Sequence, residues 1–253
     1  VNLALDIGNT FAKSGVFEGD ELVEVFRLES THLFSHGEDW IQTIRNKYPG
    51  IEKGIYSTVI HLEPEFLSHF EFLNPFLSLH PGMYTGFENH YQSPSSLGLD
   101  RIAAISGALA HFPKENCLVV NAGTCLTFDF VDDQKRYYGG GISPGYSMRV
   151  KALNTFTSKL PLINQTPNAE PDYMGKTTSE CMHAGVYWGM IHEVMGFINQ
   201  YGKDYSDIKI ILAGGDGNFL DTHLKNTIFA HQIKWMPDLV LIGLNRILNI
   251  KDA

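Results

Sequence analysis

Asp6-Ile7-Gly8-Asn9-Thr10 follows the apolar run Leu3-Ala4-Leu5, and Asn121-Ala122-Gly123-Thr124 follows Leu118-Val119-Val120, so one short pattern occurs twice in a chain of 253 residues. Each copy reads as a buried strand that ends in a polar residue, turns on a glycine and returns as a second strand. Glycine admits the tight turn and lets backbone N–H groups approach a ligand with no Cβ in the way. The threonine just beyond adds a hydroxyl donor. Two such turns facing each other across a cleft would hold the phosphates of one nucleotide between two related domains, an arrangement that points to phosphoryl transfer.

The segments around the two turns agree with a duplication. Residues 2–29 alternate apolar and polar positions around Gly8, Gly15 and the Glu18-Gly19-Asp20 turn, and read as three antiparallel strands. Trp40, Ile41, Ile44 and Tyr48 have helical spacing that Pro49-Gly50 ends. A strand over 54–59 and a helix over 65–72 follow, then a Pro-, Gly- and Ser-rich loop over 81–97, as expected above a site. Small and apolar residues over 99–110 predict a tightly packed helix between the domains. Strands are expected at 117–121, 124–131, 136–142 and 208–213, and helices at 145–157, 178–201 and 238–250; 160–174 reads as another loop. The expected fold is therefore α/β, with a first domain over 1–112 and a second over 113–253, not an all-parallel doubly wound sheet.

Composition bounds the function. Hydrophobic residues at 43% and charged residues at 19% give the profile of a soluble globular protein. A net charge of −9 argues against broad binding to nucleic acid or acidic membranes. No run approaches the ~18 apolar residues of a membrane span, and no basic leader with a long apolar stretch is seen, because Asn2 and Asp6 interrupt the opening strand. Cys117, Cys125 and Cys181 lack CxxC spacing, which favours a reduced, cytoplasmic setting. His32 and His36, the histidines closest by spacing, lack the glutamate of a zinc-protease helix, and a structural metal site is not expected. The Asn164-Gln165-Thr166 sequon reads as chance.

Several motifs carry two readings. Asp6 and Asn9 would satisfy an ordinary hairpin through side-chain hydrogen bonds, although the second copy favours the phosphate role. Asp100-Arg101 at a helix start is a common solvated pair, with the carboxylate favoured by the helix dipole; it is equally a base beside an anion-binding cation. Gly175-Lys176-Thr177 imitates the end of a Walker A loop, but Glu170 stands where that loop needs glycine. Gly214-Gly215-Asp216 flanks an adenosine or is a plain strand-to-helix turn.

Taken together, the motifs resemble the type III pantothenate kinases, of the superfamily that includes acetate and sugar kinases, Hsp70 and actin. The similarity spans nearly the whole chain. It runs through Asp6-Ile7-Gly8-Asn9-Thr10, then Tyr91 to Arg101 (Tyr-Gln-Ser-Pro-Ser-Ser-Leu-Gly-Leu-Asp-Arg), then Asn121-Ala122-Gly123-Thr124, then Gly140-Gly141-Ile142-Ser143-Pro144-Gly145, and Gly175-Lys176-Thr177-Thr178 before a helix holding Ala184 and Gly185.

The resemblance implies duplicated ribonuclease H-like domains with an interdomain nucleotide cleft, and ATP-dependent phosphorylation of pantothenate to 4′-phosphopantothenate, the first step toward coenzyme A. It implies Asp100 as catalytic base, and ATP contacts from Asp6, Ile7, Gly8, Asn9, Thr10, Phe11, Ala12 and Lys13, with Thr124 and Gly140-Gly141 on the second phosphate wall. Pantothenate would be held by Tyr91, Gly98, Leu99, Asp100, Arg101 and Thr178, in a homodimer whose pocket lies at the subunit interface. Mg²⁺ would face Asp6. The family usually carries an aspartate for K⁺ or NH₄⁺ where this chain has Asn121, so activation by a monovalent cation should weaken. Two alternatives are a non-catalytic nucleotide-binding transcriptional accessory factor of the same family, and a kinase for another small alcohol.

Overall fold

The computed structural model describes residues 1–164 and 166–251, so the Asn164-Gln165-Thr166 sequon lies partly outside the described residues. The chain forms two compact units. The first holds Val1–Pro113, Lys135–Tyr137 and the chain from Asp238 onward; the second holds Lys114–Gln134 and Tyr138–Pro237.

In the first unit β1 (Asn2–Ile7), β2 (Phe11–Glu18) and β3 (Glu21–Glu29) form the expected antiparallel meander. After α1 (Leu33–Lys47) come β4 (Lys53–Thr58), α2 (Pro64–Ser68) and β5 (Phe76–Ser78), and the sheet runs β3-β2-β1-β4-β5 with β4 and β5 parallel to β1. The short β6 (Glu88–Asn89) and α3 (Leu99–His111) follow.

The second unit repeats this plan with β7 (Cys117–Ala122), β8 (Cys125–Val131), β9 (Arg136–Pro144), α4 (Tyr146–Thr155), α5 (Thr178–Asp204), β10 (Lys209–Ala213), α6 (Gly217–Leu224) and β11 (Ile233–Trp235). Its strands lie in the order β9-β8-β7-β10-β11, with β8 antiparallel to β7 and with β10 and β11 parallel to it. Arg136 and Tyr137, which open β9, pair with β6 and group with the first unit.

The duplication extends to burial. β1 and β7 share one pattern, buried at every position except the fifth, which is Asp6 in one and Asn121 in the other. A central strand covered on both faces needs a continuous apolar run rather than alternation, and the single polar break marks where each strand meets its turn. Leu3, Leu5 and Ile7 pack with Trp40, Ile41 and Ile44 of α1 in one core; Leu118, Val120 and Ala122 pack with Met190, Ile191 and Val194 of α5 in the other.

The last helix, α7 (Leu239–Lys251), belongs to the first unit, where it packs on α3, β1, β2 and β4. A domain boundary near residue 112 matches the first break, but a second domain over 113–253 does not describe this helix. Nor is α3 an interdomain element in its main contact, which is α7. The two helices cross closely at Gly107 and Gly243; a Cβ at Gly243 would fall 1.7 Å from the Ala103 carbonyl oxygen. The short β5, β6 and β11 and helix α6 have no counterpart in the sequence reading, and α2 is shorter than the helix expected over 65–72.

Candidate active site

Asp6 ends β1 and lies in register with Lys13 of β2 and Ser57 of β4. Directly opposed residues of neighbouring strands share a sheet face. Ser57 Oγ donates to Asp6 Oδ1 at 3.1 Å. Burial, and next the charge of Asp100, push the Asp6 carboxyl up from 3.8 to about 6, against the opposing effects of Ser57 and Lys13. Asp6 and Asp100 thus lie close enough to repel, an arrangement of two carboxylates that a divalent cation would relieve.

The turn beyond Asp6 is fixed from within. Gly8 N–H donates to the Phe11 carbonyl at 3.0 Å, Ser30 Oγ donates to the Gly8 carbonyl at 2.7 Å, and Ser30 N–H donates to the Thr10 carbonyl at 3.0 Å. Asn9, Thr10 and Phe11 form its exposed tip, while Ile7 and Ala12 are buried beneath it.

Asp100 sits in the first turn of α3, two residues past the N-cap Gly98. Its carboxylate folds back over that glycine, where a Cβ would come 2.6 Å from Asp100 Oδ1. Gly98 therefore leaves room for the Asp100 carboxylate, and Leu99 links the two. Arg101 is buried, and its guanidinium carbon lies 5.6 Å from the centre of the Tyr91 ring. Tyr91 in turn stands 6.1 Å from the Tyr137 ring. The first unit thus brings Asp6, Lys13 and Asp100 into one electrostatic group, and Tyr91 and Arg101 into contact.

The second unit builds its own turn. Gly123 N–H donates to the Cys125 carbonyl at 3.0 Å, and Gly145 N–H, at the head of α4, donates to the Thr124 carbonyl at 3.1 Å. A Cβ at Gly145 would fall 2.1 Å from the Gly123 carbonyl oxygen, so the head of α4 seats on the turn only through glycine. Asp216 N–H donates to the Ala122 carbonyl at 2.9 Å, which places the Gly214–Asp216 segment against the same strand end. Burial raises the Asp216 carboxyl.

Thr124 is exposed on this turn, and Asn121 lies just before it. Gly141 packs in β9 against Phe197 and Phe128, whose rings stack 3.8 Å apart.

Thr178 opens α5 and is exposed on the wall of an apolar cavity of about 710 Å³, with Arg149, Leu153, Cys181 and Val186. The preceding Gly175-Lys176-Thr177 is a helix cap. Thr177 Oγ1 accepts from Glu180 N–H at 3.3 Å, and Glu180 Oε2 accepts from the N–H groups of Thr177 and Lys176 at 3.0 and 2.7 Å. Sequence reasoning missed Ser30, which holds the first turn, and Ser57, which holds Asp6. Ser57 reaches Asp6 from 51 residues away, and no local pattern announces such a pairing.

The sequence model of the type III pantothenate kinase family matches residues 2–200. A type III pantothenate kinase of Phocaeicola vulgatus is 41% identical over 100% of this chain and 99% of its own length. The chain belongs to the type III pantothenate kinase family. The activity of that family is phosphorylation of pantothenate, in coenzyme A biosynthesis. Two solved structures share the fold alone. A protein of Campylobacter jejuni described as a Baf family transcriptional activator has a TM-score of 0.60 at 24% identity, covering 99% of this chain and 98% of that one. The activator of 2-hydroxyisocaproyl-CoA dehydratase from Clostridium difficile, with bound ADPNP, has a TM-score of 0.57 at 12% identity, covering 99% and 96%. The architecture is a duplicated α/β, ribonuclease H-like fold in two units. No helix among the described residues is long and apolar enough to cross a membrane.

Proposed function

We propose that this chain transfers the γ-phosphoryl group of ATP to the 4′-hydroxyl of pantothenate, with Asp100 as general base. The observation that carries this reading is the pairing of Asp100, in the first turn of α3, with Asp6, at the end of β1. One carboxylate takes the hydroxyl proton while its neighbour faces the phosphates. As the substrate oxygen bonds to γ-phosphorus, the bond from phosphorus to the bridging oxygen breaks and ADP leaves. Asp100 accepts the proton, since a primary alcohol is a weak nucleophile while it retains it. Residues Asp6 to Lys13 and Thr124 hold the triphosphate, through backbone donors, the Thr10 and Thr124 hydroxyls and the Lys13 ammonium. Arg101 and Tyr91, with Thr178, hold pantothenate, and the Arg101 guanidinium matches its carboxylate.

Asp6 would hold Mg²⁺, because its raised carboxyl beside Asp100 gains from a neighbouring cation. The ion would neutralise charge on the transferring phosphoryl oxygens.

A homodimer agrees with the exposed apolar Phe156, Tyr173 and Met174 in the second unit, and the three free thiols agree with a cytoplasmic setting. The test is ADP release by the purified protein with and without pantothenate. ADP formed only with pantothenate supports the reading. No ADP at all favours the regulator, and ADP formed with other small alcohols but not with pantothenate favours a different kinase.

The cation requirement gives a further expected result. Asn121 offers a carbonyl dipole where an aspartate would offer a full charge, so attraction for K⁺ should be weaker by about a kcal/mol or more, on the order of tenfold in affinity. Titrating ADP production with KCl against choline chloride at constant ionic strength should show little activation in the wild type. Asn121→Asp should gain dependence on K⁺. Strong saturable activation of the wild type at low millimolar K⁺ would show that other ligands build the site.

A further inference from the structure

Asp6, Lys13 and Arg27 fall on one register line across β1, β2 and β3, and residues opposed in this way present their side chains to the same face. Two cations therefore stand side by side, Lys13 and Arg27, with a carboxylate only on the Lys13 side of the row. A second carboxylate reaches them from outside the sheet. Asp238 precedes α7, and its main-chain carbonyl accepts from Ile242 N–H at 3.1 Å. Its Oδ1 lies 3.8 Å from the Arg27 guanidinium, and this atom is buried without a hydrogen-bond partner among the described residues. A buried carboxylate oxygen left without a hydrogen bond is costly unless neighbouring positive charge compensates it. Burial and Arg27 disfavour the charged form of Lys13, while Asp238 and Asp6 favour it.

We propose that Asp238 is a positioning residue for Lys13: it offsets the repulsion between Lys13 and Arg27, so that the Lys13 ammonium stays beside the phosphate turn. The inference rests on the reading above in which Lys13 contacts the phosphates of ATP. Asp238 acts through Lys13 and touches neither substrate.

The test compares the KM for ATP and for pantothenate in the wild type, Asp238→Asn, Arg27→Gln, the double variant and Lys13→Met. Asparagine is as well tolerated as aspartate just before a helix, so Asp238→Asn removes the charge and keeps the shape. It should raise the KM for ATP by roughly 3- to 10-fold with the KM for pantothenate unchanged. Adding Arg27→Gln should recover most of that loss, because the charge that Asp238 offsets is then gone. A purely structural role for Asp238 would show no such rescue.

Arg27 has a half-exposed side chain, so Arg27→Gln alone tests the idea even where Asp238→Asn fails to fold. It should leave the KM for ATP at or below the wild-type value, and a several-fold rise would overturn the proposal. So would a wild-type KM for ATP in Asp238→Asn, or a double variant no better than Asp238→Asn. If Lys13→Met raises the KM for ATP while Asp238→Asn does not, only this inference fails. If Lys13→Met leaves it unchanged, the phosphate role of Lys13 fails and the proposal falls with it.

Discussion

Asp100→Asn is expected to lower kcat by roughly 10²–10⁴-fold with little change in pantothenate affinity. Asparagine keeps the size and much of the hydrogen bonding of the side chain but cannot accept the proton of the attacking hydroxyl. The position itself should survive the change, because it is set by the backbone of α3 and by the open space over Gly98, where a Cβ would come 2.6 Å from Asp100 Oδ1. Single-turnover measurements at saturating ATP and pantothenate isolate the chemical step, and calorimetric titration with pantothenate reports binding. Near-normal turnover in the variant would remove Asp100 as the base. A loss confined to pantothenate affinity would make it a binding group instead.

Asp6→Asn is expected to separate activity from stability, with opposite signs. Removing the carboxylate that faces the phosphates should lower kcat/KM for ATP by roughly 10²–10³-fold, the usual cost of deleting one preorganised electrostatic group. In metal-free buffer the same change should stabilise the fold at alkaline pH. The Asp6 carboxyl is raised from 3.8 to about 6, first by burial and then by Asp100. A raised carboxyl contributes stability that is fully present below pH 3.8 and lost as the pH climbs through about 6. At about 1.36 kcal/mol per pH unit, ionised Asp6 then opposes folding at pH 8 by up to roughly 3 kcal/mol. Asparagine has no charge to bury, so thermal unfolding in EDTA should show the variant above the wild type at pH 8, with the gap closing at pH 4. A variant less stable than the wild type at both pH values would mean that Lys13 and Ser57 make the ionised carboxylate favourable, and that the repulsion from Asp100 has been overweighted.

The two glycine turns were legible in the sequence because the features that make them are local. A strand buried on both faces must be apolar throughout, so the polar residue that interrupts it, Asp6 or Asn121, stands out against Leu3-Ala4-Leu5 or Leu118-Val119-Val120. A glycine two residues later and a threonine beyond complete a pattern confined to four or five residues. Asp100 was legible for the same reason, through Gly98 and the small-residue helix that follows. The false signal at Gly175-Lys176-Thr177 was also resolved locally: Thr177 and Glu180 stand three residues apart, and their reciprocal hydrogen bonds make a helix cap.

Other assignments failed where the deciding partner was distant or the element short. The three-residue strands β5 and β11 carry too few side chains to show a period, and exist because β4 and β10 offer them a parallel edge. The close approach that Gly141 permits is to Phe197, on a helix more than fifty residues later, and nothing near Gly141 in the sequence signals it.

The sequence by itself determined that the fold is duplicated, where each copy makes its glycine turn, and which carboxylate stands at the head of a helix. These follow from backbone conformation and burial over a few neighbouring residues. Only the tertiary structure decided that the last helix returns to the first unit and crosses α3 at Gly107 and Gly243. It alone placed Ser57 on Asp6 and aligned Lys13, Arg27 and Asp238. Those relations depend on sheet register and helix docking, which sum weak contacts over residues up to 225 positions apart, and no local pattern in the chain encodes such a sum.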